Sequence, residues 1–297
     1  MKLLAIVGPT AVGKTRMAVE VAQRLDASIE IVSCDSVAVY RGLDIVADKP
    51  SAIERSSVPH HLVDVAHSSA EFTVVEYRTL AREAIADITA RGAVPMLVGG
   101  SGLYFRGVVD DLSFAPTSAE VRRRLERQDP AELFARLAEA DPASAERLDP
   151  RNVRRVVRAV EILELTGRPP SELRGEWERA ESPYELTAVG LTRPREELDA
   201  RVAERVIRQL EAGLVDEVRE ATLSKTSEQA IGVKEILPFI RGDASLEQAR
   251  AEFVRNAKAF VRRQLSWFRS DPRIAWIDVT QTGWDEAREQ VVERFES

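Results

Sequence analysis

A glycine at position 8, four free positions, and then Gly13-Lys14-Thr15 give the chain its clearest chemistry. That spacing is the phosphate-loop pattern. Gly8 and Gly13 let the backbone curl so that successive N–H groups point inward at phosphate oxygens. Lys14 supplies a cation for the terminal phosphate, and the Thr15 hydroxyl can complete a magnesium shell. An apolar run, residues 3–7, precedes the loop, and a helical pattern up to about residue 25 follows it. The helix aims its positive end at the same anion. A second chemical residue, Asp35, stands just beyond another apolar run at residues 29–32. Residues at that place in an open parallel sheet line the ligand crevice. Capping a following turn is the competing role for Asp35. A third feature, Gly99-Gly100-Ser101-Gly102, closes the apolar run at residues 94–98 and brings the Ser101 hydroxyl towards the same crevice.

Positioning these groups takes alternating strands and helices. Strands are expected at residues 3–7, 29–32, 62–65, 94–98, 187–191 and 274–279, and helices at 71–91, 195–219, 246–269 and 284–295. Residues 224–235 read as a turn-like segment with two polar ends. The expectation is an α/β fold: a P-loop NTPase-like parallel sheet flanked by helices. Between residues 121 and 166 no strand is visible. Charged helical segments there are separated by Asp129-Pro130, Asp141-Pro142 and Asp149-Pro150. Proline after aspartate punctuates helix starts, so 113–183 is expected to form an inserted all-helical lobe in a core made of 1–112 and 184–297.

Two cationic stripes stand out. Arg151, Arg154, Arg155 and Arg158 fall at i, i+3, i+4 and i+7, with no acidic residue among them. Arg255, Lys258, Arg262 and Arg269 project within about 60° of one another at about 100° per residue. Both suit phosphate contact. Phe253, Ala257, Phe260, Gln264 and Trp267 form a separate stripe assigned to the core. The 297 residues are 44% hydrophobic and 31% charged, with a net charge of −7, which argues against indiscriminate coating of nucleic acid while leaving room for a local basic groove. The single cysteine, Cys34, permits no internal disulfide and fits a reducing compartment. No signal peptide or membrane-length apolar run is visible, so a cytoplasmic protein is expected; a monomer is the expected state. His60, His61 and His67 have no zinc-like spacing and read as turn or surface residues. A nucleotide hydrolase or small-molecule kinase needs an acid at a strand end to hold magnesium, and Asp35 and Asp64 both qualify by position. The basic stripes and the Gly99–Gly102 turn speak against a metabolite kinase.

Seven segments in order, GPTAVGKT, SCDSVAVYRGLDI, PHHLVDV, VPMLVGGSGLYFRG, DPRNVRRVVRAVEI, AIGVKE and RRQLSWFR, resemble bacterial tRNA dimethylallyltransferases over nearly the full length. The resemblance implies transfer of a dimethylallyl group from dimethylallyl diphosphate to N6 of the adenosine 3′ to the anticodon, without nucleotide hydrolysis. It implies that Gly8, Thr10, Ala11, Val12, Gly13, Lys14 and Thr15 hold the diphosphate, with Lys234 touching diphosphate or tRNA. Catalysis falls to Asp35 as proton acceptor, with Lys14, Thr15 and Ser101. Asp35, Ser36, Val37, Ala38, Ser101, Arg123, Arg154, Arg155, Arg158, Arg262, Arg263 and Arg269 are the implied contacts to the anticodon stem-loop. Mg2+ is the implied cofactor, held through Thr15. Relatives typically have Gly-Thr where this chain has Val46-Ala47, glutamine at Ala38, and tyrosine at Val233. Prenylation of free adenine nucleotides, a P-loop kinase and a nucleotide-gated RNA-binding module are the alternatives.

Overall fold

Residues 3–7 are apolar and at most 2% exposed, the pattern of a strand covered on both faces. In the computed structural model, which describes residues 1–178 and 181–297, they lie in the centre of a parallel sheet. Six strands of that sheet fall among the described residues: β1 (Lys2–Val7), β2 (Ile29–Cys34), β3 (His60–His61), β4 (Val94–Gly99), β5 (Glu185–Thr192) and β6 (Ile274–Asp278). Their spatial order is β3-β2-β4-β1-β5-β6. Registers such as Ile6 with Val98 and Ile6 with Val189 lock β1 between β4 and β5. Because every pair is parallel, the carboxyl ends of β1, β2 and β4 open on one edge, where Gly8, Asp35 and Gly100 follow them.

The chain forms two compact units, Met1–Val109 with Pro183–Ser297, and Asp110–Ser182. The second unit is helical and has its own core of Leu125, Leu133, Leu137, Val156, Val157 and Val160. Its limits lie within three residues of the sequence expectation. Asp129 and Asp141 cap helices Pro130–Ala140 and Pro142–Arg147, with proline in the first turn of each. Asp149-Pro150 starts no helix. Asn152 caps Val153–Thr166 instead, its side chain accepting from the Arg155 N–H. A further helix, Pro170–Glu178, was not anticipated.

Three other expectations need correction. Residues 62–65 are not a strand: Leu62 and Asp64 take left-handed φ of 60° and 61°. That turn brings the Asp64 carboxylate to Lys49 and Arg55 at 2.6 and 3.0 Å. Strand structure lies on either side, at β3 and in a short parallel pair of Tyr40–Arg41 with Ala66–His67. The helix expected over 195–219 is two, Arg195–Glu211 and Leu214–Glu220, broken where Gly213 adopts φ 99°. Within 224–235, Ser227–Gln229 is a 3-10 turn, and Val233 begins a helix that continues to Arg241.

Candidate active site

The loop after β1 leaves the sheet through Gly8 at φ 146°, where a Cβ would stand 2.5 Å from the Leu191 carbonyl oxygen. Helix Lys14–Ala22 follows with no side-chain cap and no acidic residue in its first turn, so its leading N–H groups remain for an anion. The loop is braced from outside. Arg201 Nε donates to the Ala11 carbonyl at 2.8 Å, Arg193 Nε reaches that of Val12 at 3.3 Å, and the Thr10 N–H donates to Gln264 Oε1 at 2.9 Å. Ala11 itself sits at φ 67°, a left-handed conformation that disfavours a Cβ. Lys14 folds back so that Nζ donates to the Pro9 carbonyl at 2.8 Å. Burial lowers its ammonium to about 8, partly opposed by the nearby Asp35 charge and reinforced by Arg205.

Two cavities open around this loop. The first, about 330 Å³, is bordered by the loop and by Arg201, Arg205 and Arg208, one cationic row on helix Arg195–Glu211. The second, about 270 Å³, is lined by Val37, Val46, Val206, Ile231, Phe253 and Phe260, with Ser101, Lys234 and Arg263 as polar members. Thr10, Asp35, Ala47, Arg205 and Gln264 border both. One cavity suits a polyanion, the other an apolar group and a flat ring.

Asp35 stands where they meet. Its Oδ1 accepts from the N–H groups of Val37 at 2.8 Å and Ala38 at 3.2 Å, so the turn-capping role is real. That role engages one oxygen only. Oδ2 accepts no hydrogen bond among the described residues. Ser101, which lines the second cavity with Asp35, is held to the end of β2, its N–H donating to the Cys34 carbonyl at 3.2 Å. Cys34 is fully buried and its thiol is pushed up to about 12, which removes it as a nucleophile.

A family model described as IPP transferase matches residues 38–271. The chain belongs to that family. Among its relatives, the tRNA dimethylallyltransferase of Streptomyces coelicolor is 46% identical over 93% of this chain and 90% of that protein. The crystal structure of the tRNA isopentenylpyrophosphate transferase of Bacillus halodurans is 38% identical, with a TM-score of 0.73 over 99% of this chain and 97% of that one. A structure described as a eukaryotic dimethylallyltransferase acting on tRNA is 26% identical, with a TM-score of 0.79 over 98% of this chain and 77% of that one.

Departures from the family pattern have visible accommodations. Asp44–Ala47 forms a short helix, and Glu217 accepts from the N–H groups of Asp44, Ile45 and Val46 at 2.7, 2.7 and 2.9 Å. Gln209 Nε2 donates to the carbonyls of Ile45 and Val46 at 2.6 and 3.0 Å. The backbone course is therefore fixed without a glycine at Val46. Ala38 is 4% exposed and borders the first cavity, away from Ser101. Val233 is fully buried.

The structure separates the sequence-predicted residues into groups. Gly13, Lys14, Thr15, Ala11 and Thr10 border the first cavity, although the Thr10 N–H faces Gln264. Ser36, Val37, Ser101, Lys234 and Arg263 border the second, so Lys234 lies with Ser101 and apart from the first cavity's lining. Arg262 is exposed, and the exposed Arg269 lies over the Trp276 ring at 5.9 Å. In the helical unit the side chains of Arg154 and Arg155 are exposed with no partner among the described residues, whereas that of Arg123 bonds the Ala119 carbonyl at 3.2 Å. The other two stripe members are engaged. Arg151 pairs with Asp149 at 3.0 Å. Arg158 pairs with buried Glu161 at 2.7 Å and donates to the carbonyls of Pro116 and Ala115. On the second stripe Arg255 is paired with Glu252.

Asp64 is held by Lys49 and Arg55 and borders neither cavity, which withdraws it as a magnesium acid. His61 pairs with Glu30, His67 meets Ser69, and His60 bonds the Val58 carbonyl while edging the first cavity. Among the described residues no three His, Cys, Asp or Glu cluster as a metal cage. Thr15 therefore fits only an ion that brings most of its oxygens with a diphosphate and water, the usual manner of magnesium. Sequence reasoning missed Gln264, Arg201, Arg205 and Glu217 as parts of the site. The one signal was Gln264, a polar residue within an apolar helical stripe, which must find partners when buried.

Proposed function

We propose that this protein transfers a dimethylallyl group from dimethylallyl diphosphate to N6 of the adenosine 3′-adjacent to the anticodon in tRNA, releasing diphosphate. The observation that carries this reading is Asp35, with one uncommitted oxygen, between a cationic phosphate-loop cavity and an apolar cavity. The donor diphosphate occupies the first cavity. Its five-carbon tail and the adenine meet in the second.

An exocyclic amine is a weak nucleophile because its lone pair is delocalised into the ring. As N6 bonds to the allylic carbon, Asp35 accepts its proton, and the electrons of the breaking C–O bond leave with the diphosphate. Lys14 and the loop amides stabilise the charge gathering on that leaving group. Magnesium, held by Thr15 together with the diphosphate, would add Lewis-acid charge there. The adenine must leave its stack to enter, which costs a few kcal/mol and least for an unpaired loop base. Arg154, Arg155, Arg262 and Arg269 supply offsetting phosphate contacts on the stem-loop, with Arg263 at the cavity. Among the described residues no helix is long and apolar enough to cross a membrane.

The test is direct. Incubate the protein with dimethylallyl diphosphate, magnesium and unmodified tRNA whose anticodon ends in A. Prenylated adenosine is expected at one position. Its absence, or equal prenylation of free AMP, overturns the reading.

A further inference from the structure

Gln264 is 5% exposed and lies on helix Leu246–Arg269, far along the chain from both groups it touches. Its Oε1 accepts from the Thr10 N–H at 2.9 Å, and its Nε2 donates to the Gly100 carbonyl at 2.9 Å. Thr10 belongs to the phosphate loop and Gly100 to the turn that presents Ser101. Gln264 also borders both cavities. A Cβ on Gly100 would stand 2.4 Å from Nε2, so the turn is shaped around this amide. The amide pairs one donor with one acceptor, and only a side chain carrying both can do so.

We infer that Gln264 is a positioning residue that holds the diphosphate cradle and the acceptor turn in register, so that cleavage of the allylic C–O bond is coupled to capture by N6 rather than by water. The inference rests on the prenyl-transfer reading above. Two consequences follow from the bonding. The Thr10 N–H is committed to Gln264 and does not face the phosphates. One amide also ties the phosphate loop directly to the turn that carries Ser101, in addition to the separate supports of each. Reacting atoms in transfer must be held near van der Waals distance, and a misplacement of about 1 Å costs on the order of 10²-fold.

Without that register the cradle still supports departure of the diphosphate, and a water oxygen bonds to the allylic carbon. That water loses a proton, giving dimethylallyl alcohol and diphosphate. The readout is therefore a ratio, alcohol formed to tRNA prenylated, measured at saturating donor and tRNA in the full-length protein. Gln264→Leu removes both bonds. Gln264→Glu keeps the volume and the bond from Thr10 but, ionised, has no hydrogen for Gly100. Both variants should raise the ratio by about tenfold or more, with transfer slowed on the order of 10²-fold and tRNA affinity within about threefold. Partial unfolding scales both products down together and leaves the ratio unmoved, so a melting curve beside each variant separates the two cases. A wild-type protein that prenylates tRNA while Gln264→Leu, folded, keeps the wild-type ratio overturns the inference alone. A wild-type protein that makes no prenylated tRNA overturns the functional reading beneath it.

Discussion

Lys14 titrates at about 8 because burial outweighs its attraction to Asp35, and that position dictates how donor affinity changes with pH. A bound diphosphate brings several negative charges to the ammonium and raises it again. Binding therefore takes up a proton wherever the free protein has lost one. Below pH 8 both states carry the proton and affinity is flat. Above it, the free protein deprotonates while the complex does not, and each further pH unit weakens binding about tenfold. Between pH 7 and 9 the charged fraction of free Lys14 falls from about nine-tenths to about one-tenth, which is roughly tenfold in Kd or about 1.4 kcal/mol. The measurement is equilibrium binding of a non-reacting alkyl diphosphate analogue, at fixed ionic strength and magnesium, from pH 6.5 to 9.5. The ligand is fully ionised over most of this range, since the last phosphate ionisation lies near 6. Lys14→Arg supplies the control, because a guanidinium stays charged throughout and its profile should be flat from pH 7 upward. A wild-type Kd constant to pH 9.5, or a Lys14→Arg profile with the same slope, refutes the reasoning.

The remaining predictions concern the supports of the site. Glu217→Ala strips the carboxylate from three N–H groups of the Asp44–Ala47 helix and should cost about 2 kcal/mol in urea unfolding, with faster amide exchange at residues 44–46. Arg158→Ala leaves buried Glu161 with Arg122 and should destabilise the helical unit by about 2 kcal/mol, seen as a lower melting temperature. Arg154→Ala and Arg155→Ala should leave that temperature within about 2 °C while weakening tRNA binding, each lowering the salt slope of log K by about one.

Which parts of this site were legible followed from how local their causes are. The phosphate loop announces itself because glycines, lysine and threonine act within eight residues, and β1 needs only a continuous apolar run. Asp35 was legible as a type and a place, and its bonds to the Val37 and Ala38 N–H groups show the turn-capping one of the two readings of that place. Asp129-Pro130 worked as punctuation because cap and proline are neighbours, whereas at Asp149-Pro150 the later Asn152 won the cap. Residues 62–65 misled because an apolar run was broken by a long-range ion pair, Asp64 with Lys49, that no periodicity encodes. Trp267, assigned to the core by spacing, is 42% exposed and lies against Gly102, since glycine there leaves room for an indole at the surface. The offset of Arg158 by Glu161, three residues along the same helix, is open to the sequence, whereas its bonds to two carbonyls 42 and 43 residues away are not. Gln264 and Arg201 act on loop backbone across 254 and 190 residues, and only the assembled sheet edge reveals them.

The central claim is that the uncommitted oxygen of Asp35 takes the N6 proton during transfer. Asp35→Asn keeps an Oδ1 acceptor for the N–H groups of Val37 and Ala38, so the turn survives the change. Single-turnover prenylation with saturating tRNA and donor is the most direct measurement. The account predicts a loss of about 10²- to 10⁴-fold in transfer rate, with tRNA affinity within about threefold of wild type. Transfer at an undiminished rate by a folded Asp35→Asn protein contradicts it.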